Sequence, residues 1–160
     1  MDKDILREII SEIEKELENI NEFRKELMKI KSENSITFRR SIGSILHDFY
    51  NCCERVFKKT ASGINGSYED SDKWHKSLLV RMTIPIKDIR PAVISEELAA
   101  ELDEYLSFRH VFRNIYGFEL KGDRIKYLAE KFDNVAERFI SEIKKFLIFL
   151  SKELQESKAD

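Results

Sequence analysis

Apolar residues recur at helical spacing along nearly the whole chain, and five amphipathic segments can be read from them. From Asp4 to about Lys31, Ile5, Ile9, Ile13, Leu17, Ile20, Phe23, Leu27 and Ile30 fall three or four positions apart, with Glu and Lys on the other faces. This predicts one long first helix. Residues 32–35 form a short polar break, and Ser35 is placed to cap a second helix carrying Ile42, Ile45, Leu46, Phe49, Cys53, Val56 and Phe57. That helix is expected to end near Thr60, before the turn formers of Ser62-Gly63-Ile64-Asn65-Gly66-Ser67. Asp70-Ser71-Asp72 reads as the start of a third, shorter helix reaching about Ile84. Pro85 and Pro91 then bracket a stretch unsuited to helix, since each removes a backbone donor and biases its predecessor towards extended geometry. Ser95-Glu96-Glu97-Leu98 is a capped start for a fourth helix running to about Tyr116 and stopped by Gly117. After Lys121-Gly122-Asp123 a last long helix carries Ile125, Leu128, Phe132, Val135, Phe139, Ile143, Phe146 and Leu150 to about Leu154.

These elements define an all-α chain, and their short connections favour antiparallel neighbours in a four- to five-helix up-and-down bundle. The 160 residues suit one domain spanning 1–160, with 1–34 given to the long N-terminal helix and 155–160 to a fraying tail.

Composition narrows the function classes. A 42% hydrophobic and 36% charged chain has material for a core and a densely charged surface, which excludes overall disorder. The formal net charge of -2 supplies no global field to draw the protein onto nucleic acid or an anionic membrane, so any such site must be a local patch. The longest apolar run, Phe146 to Leu150, is far short of the roughly 20 residues of a bilayer helix. Met1-Asp2-Lys3-Asp4 leads into the first helix without an apolar leader, so secretion is not expected. Cys52 and Cys53 are neighbours without a CxxC spacing and read as buried thiols in a reducing cytoplasm. The three His are scattered and no Gly-rich phosphate cradle occurs, so neither a metal nor a cofactor is expected.

The fourth helix carries the candidate chemistry. Leu98, Leu102, Tyr105, Arg109, Phe112 and Tyr116 fall on one stripe, so Arg109 interrupts an otherwise apolar seam. That is costly unless Arg109 is paired or opens into a cleft. Arg113 follows one turn on, and His110 and Asn114 stack on the adjacent face. Guanidinium forks suit phosphate oxygens, an imidazole titrates near neutrality, and a phenol can be modified, so the cluster suits phosphodiester chemistry. The plain alternative is a helix edge whose arginines bridge to carboxylates on a neighbouring helix. Trp74 and His75 could stack on a base, although Trp74, Leu78 and Met82 at four-residue spacing read first as core anchors. His47 reads as a surface or capping histidine, and Lys58-Lys59 and Arg39-Arg40 as solvated faces able to extend a basic rim.

The segment Phe108-Arg109-His110-Val111-Phe112-Arg113-Asn114-Ile115-Tyr116-Gly117 resembles the active-site helix of HEPN-domain proteins, specifically the HepT-like ribonuclease toxins of prokaryotic toxin–antitoxin pairs. Their signature is Arg, four residues, His, one residue, Tyr. Arg109 and Tyr116 stand in register, and Asn114 occupies the His position. His47-Asp48-Phe49-Tyr50 with Glu54-Arg55, Trp74-His75-Lys76-Ser77-Leu78-Leu79 with Met82, and Arg90-Pro91-Ala92-Val93-Ile94 extend the resemblance over roughly residues 35 to 150.

The resemblance implies a HEPN-like bundle that forms a homodimer, with two signature helices facing a cleft that cuts RNA without metal. It gives Arg109 the phosphate and the Asn114 position the proton transfer, and Arg113, presenting a second fork from the same helical face, is expected to support the phosphate contact. Asn114 cannot titrate, so catalysis is expected to be impaired unless His110, one turn earlier, substitutes. It also implies a nucleotidyltransferase antitoxin that adds nucleotide to Tyr116. The enzyme expected is thus a metal-independent endoribonuclease. The alternative is a non-catalytic HEPN module binding RNA or the nucleotidyltransferase, and a bare helical scaffold would instead show Arg109 bridged to carboxylates.

Overall fold

The computed structural model of the chain describes residues 2–30, 36–64 and 73–156. Five α-helices follow one another: α1 (Lys3–Lys29), α2 (Ile36–Ile64), α3 (Trp74–Met82), α4 (Glu96–Asn114) and α5 (Gly122–Glu156), with a 3₁₀ turn at Gly117–Glu119 between the last two. Among the described residues there is no strand beyond an isolated antiparallel bridge between Ile86 and Arg90. The architecture is the all-α bundle that the periodicity predicts. Ser35, residues 65–67 and Asp70-Ser71-Asp72 lie outside the described residues.

Helix starts follow local chemistry. Asp2 caps α1 by accepting the Asp4 amide at 2.9 Å, and Ser95 caps α4 by accepting the Leu98 amide at 3.1 Å. The Ser95 amide and hydroxyl also donate to the Glu142 carboxylate at 2.6 and 2.8 Å, which fastens this cap to α5.

Helix ends differ from expectation where long-range contacts intervene. α2 continues a turn past Thr60 to Ile64 because Ile9 of α1 packs directly over Gly63, where a Cβ would collide with it. α3 stops at Met82 rather than Ile84. The buried Arg90 guanidinium gathers the freed carbonyls there, donating to Arg81 at 3.2 Å, Ile84 at 3.1 Å and Pro91 at 2.9 Å, while the Val93 amide takes the Met82 carbonyl at 2.8 Å. α4 stops at Asn114 rather than Tyr116, as the Asn114 amide donates back to the His110 carbonyl at 2.6 Å and Ile115 turns extended. α5 runs on to Glu156, past the expected end near Leu154.

The core runs along the bundle, with α1 packed on α2 and α5, and an aromatic cluster fills it where α2, α4 and α5 meet. Phe49 stands edge-on to Tyr105, Phe132 and Phe139 at ring separations of 5.3, 5.0 and 6.4 Å. The Tyr105 hydroxyl is satisfied by the Leu128 carbonyl at 2.8 Å. Gly43 lets α4 approach α2 closely, since a Cβ there would come within 2.9 Å of the Phe112 ring. The α2–α4 register that carries the candidate site is fixed at these two places. Cys52 and Cys53 are both buried, and the Cys52 thiol donates to Glu16 at 2.6 Å. No helix among the described residues is long and apolar enough to cross a membrane.

Candidate functional site

Arg109 lies beside the apolar stripe of α4 rather than within it. Leu98, Leu102, Tyr105 and Phe108 face the core, Phe112 is half-buried, and Tyr116 stands beyond the helix end with 72% of its surface exposed. The expected single seam therefore swings at Phe108, which takes the buried place that an even stripe would give to Arg109. The Arg109 side chain, half-buried, crosses to α2, where its Nε donates to the Asn51 amide oxygen at 2.5 Å. Among the described residues no carboxylate bridges it, and its two terminal nitrogens keep their donors. The scaffold reading required such a bridge.

Asn51 joins Arg109 to a histidine that the sequence placed on the surface. Arg109 is a donor only, so the oxygen of the Asn51 amide faces it and the amide nitrogen faces His47 Nδ1, 3.3 Å away. By this hydrogen-bond logic the neutral His47 ring carries its hydrogen on Nε2. Asp48 Oδ1 lies 3.2 Å from the same Nδ1. The ring packs against Phe112 at a centroid distance of 5.2 Å, which holds it against α4.

One turn further along α2, the buried Glu54 carboxylate meets His75 Nδ1 at 2.6 Å, with Lys58 at 3.8 Å on its other oxygen. The carboxylate accepts from Nδ1, which leaves the lone pair of the neutral ring on Nε2. Trp74, half-buried, stacks on His75 at 3.8 Å, and Lys58 sits 4.2 Å over the Trp74 ring. Leu78, Leu79 and Met82 are buried in the core and Trp74 packs half-buried against it, as the four-residue spacing predicts, while one of its faces stacks on His75. Tyr50, three positions after His47 on α2, is wholly buried, and its hydroxyl has no hydrogen-bond partner among the described residues. Burial raises this phenol far above its ordinary value, and the negative charges of Glu54 and Asp103 add to the effect while Arg109 opposes it.

The other expected residues gather at the C-terminal end of α4. His110, Arg113 and Asn114 are exposed. The Tyr116 ring stacks on Phe118 at 5.4 Å, and its backbone is held in the turn through Glu119, whose carboxylate accepts the Tyr116 amide at 2.9 Å. Arg40 of α2 lies against Gly117, where a Cβ would run into its guanidinium. Arg39 donates to the Leu120 carbonyl at 3.0 Å. Cations suit this end because the helix carbonyls there carry partial negative charge. Lys59, by contrast, is paired with Glu12 at 2.7 Å and adds nothing to the site.

Sequence reasoning missed Asn51 and the Glu54–His75 pair. Their signal is a polar line along one face of α2, His47, Asn51, Glu54 and Lys58, spaced four, three and four apart. Among the described residues no three His, Cys, Asp or Glu side chains gather as a metal site. An open, largely apolar pocket of about 420 Å³ lies along Ser107 and Val111 of α4 and Ile115 just beyond it, and is lined by neither Arg109 nor the three histidines.

The class defined by these features is an all-α bundle in which Asn51 of α2 braces an arginine of α4. A family profile described as HepT-like protein matches residues 41–150, from early α2 to late α5. The match spans more than half of the chain, and the protein belongs to the HepT-like HEPN family. No curated protein and no solved structure matches it.

Proposed function

We propose that this HepT-like protein is a toxin-type, metal-independent endoribonuclease, with Arg109 binding the scissile phosphate and Arg113 supporting it. The observation that carries the reading is the state of Arg109: half-buried, braced through Nε by a neutral amide, and free of any carboxylate among the described residues. A guanidinium held only at Nε keeps its terminal fork for a phosphate, whereas one neutralised by Glu or Asp would not. Two free, buried thiols suit a reducing cytoplasm.

The experiment is cleavage of a labelled single-stranded RNA by the full chain in excess EDTA. Cleavage that persists without divalent metal supports the reading, and intact RNA under every condition removes it. One observation favours the second reading, a non-catalytic module binding RNA or a nucleotidyltransferase. Asn114, at the position where the family's signature has His, cannot titrate, and its amide is engaged with the His110 carbonyl. RNA bound by the parent but left intact would decide for that module.

The proposal includes a homodimer. Val111, Tyr116 and Phe118 expose apolar surface at one end of α4, which a two-fold mate would cover with the same patch. Light scattering at micromolar concentration is expected to give twice the chain mass, and a monomer would overturn this part.

A further inference from the structure

We infer that Asn51 is the positioning residue of Arg109 and that His47 sets its orientation, so that a proton on His47 releases the guanidinium and weakens its hold on phosphate. The inference rests on the reading above, in which Arg109 binds an RNA phosphate, and adds to it a control by protonation.

Its ground is one amide with two neighbours. Asn51 has a single side-chain oxygen, and Arg109 Nε donates to it at 2.5 Å. The amide nitrogen is thereby turned towards His47 Nδ1, 3.3 Å away. Arg109 has donors only, so its bond to Asn51 exists in one orientation of the amide and is lost in the other. That orientation needs a lone pair on His47 Nδ1. Asp48 Oδ1 lies 3.2 Å from the same nitrogen, and a carboxylate can only accept. Nδ1 therefore stands between a donor that suits the neutral ring and an acceptor that suits the charged one. Each protonation state finds a partner in place, which is what a two-state element requires.

A proton at Nδ1 changes the count of donors. If the Asn51 amide stays as it is, its NH₂ group faces the new N–H. If it turns over, the oxygen goes to His47 and the NH₂ group faces the Arg109 Nε hydrogen. His47 and Arg109 thus compete for one oxygen, and the ring has little room to withdraw, since its side chain is 20% exposed and rests on Phe112 at 5.2 Å.

The charged groups that meet this unit are Asp48 from α2 and Arg109 from α4, and no other ion pair reaches His47 among the described residues. The buried Tyr50 phenol, on which the Arg109 charge acts, stays protonated because burial holds it far above its ordinary value. Glu54, Lys58 and His75 form a separate cluster further along α2. An imidazole ordinarily changes charge between about pH 5 and 8, a range in which carboxylates, guanidiniums and a buried phenol keep theirs. The direction is diagnostic. Charge gained by His75 and His110 as the pH falls would by itself tighten RNA binding, whereas release of Arg109 weakens it.

The test is a titration of the full chain, labelled with nitrogen-15, from about pH 8 to about pH 5 at fixed salt. It reads the Arg109 Nε–H resonance and the His47 ring C–H resonance without RNA, and in parallel the affinity for a labelled single-stranded RNA. The Arg109 signal is expected to move with the midpoint of His47, and RNA affinity to fall about tenfold or more, the usual worth of a hydrogen bond to a charged group. H47N puts a non-titrating oxygen where Nδ1 stood and is expected to hold the Arg109 signal in its high-pH place and to abolish the fall in affinity. N51D, whose carboxylate accepts from both sides, is expected to do the same and covers an H47N chain that fails to fold. An Arg109 signal that stays in place while His47 titrates would overturn the inference, as would the parent's response persisting in folded H47N. RNA left unbound at every pH would take down the phosphate reading, and with it the control of phosphate, while the two resonances still decide whether Asn51 positions Arg109.

Discussion

Arg109→Ala is expected to lower metal-independent RNA cleavage by about 10²–10³-fold, the usual cost of deleting one donor aimed at charge that develops in a transition state. The expected loss is large because the residue is set up in advance. Asn51 fixes Nε at 2.5 Å and the packing of Gly43 against Phe112 fixes the helix that carries it, so the terminal fork needs no reordering when phosphate arrives. Arg109→Lys is expected to restore little. An ammonium has no Nε to leave with Asn51 while two further donors face a phosphate, so either the brace or the fork is lost. Arg113→Ala should cost less and act mainly on binding, since that side chain is exposed and its attraction is screened by salt. Initial cleavage rates and RNA affinity measured at low and moderate salt separate the two arginines. Unchanged cleavage by Arg109→Ala would remove this residue from the site.

The same geometry explains which parts of the protein were legible in its sequence. Apolar periodicity is a property of each helix face, so the number and order of helices follow from it without any knowledge of neighbours. Helix ends depend on contacts made at a distance: Ile9 on Gly63 lengthens α2, and Arg90 reaching back to the Arg81 and Ile84 carbonyls shortens α3. Arg109 could be singled out because a cation that interrupts an apolar stripe is conspicuous on one helix. Its partner could not, because Asn51 stands 58 positions away and no local rule pairs an asparagine with an arginine. His75 reads as an adjunct of a core tryptophan until Glu54, 21 positions earlier, is seen buried against its ring. Tyr116 sits on the apolar stripe only if α4 continues through it. The turn of Asn114 back onto His110 ends the helix first and leaves the ring in solvent.

That exposure sets the second large effect: co-expression with a nucleotidyltransferase partner is expected to place nucleotide on Tyr116 and to silence RNA cleavage, and Tyr116→Phe is expected to escape both. The ring is 72% exposed, carried on extended backbone beyond α4 and held in place by stacking on Phe118 and by the hydrogen bond its amide donates to the Glu119 carboxylate, so a second active site can reach the hydroxyl without unwinding a helix. The phenolic oxygen would attack the α-phosphorus of a nucleoside triphosphate and lose its proton as pyrophosphate departs. A phosphodiester joined there brings a negative charge to the end of α4 where Arg113 is exposed and where Arg40 crosses the adjacent Gly117. It would pair with those cations and oppose the approach of RNA phosphate to Arg109. Tyr116→Phe keeps the ring that stacks on Phe118 and removes only the oxygen, so the variant should fold and cut like the parent while remaining active beside the transferase. Intact mass followed by peptide mapping reads the outcome. Nucleotide found on another residue, or a modified Tyr116 that leaves cleavage unchanged, would sink the proposed route of control.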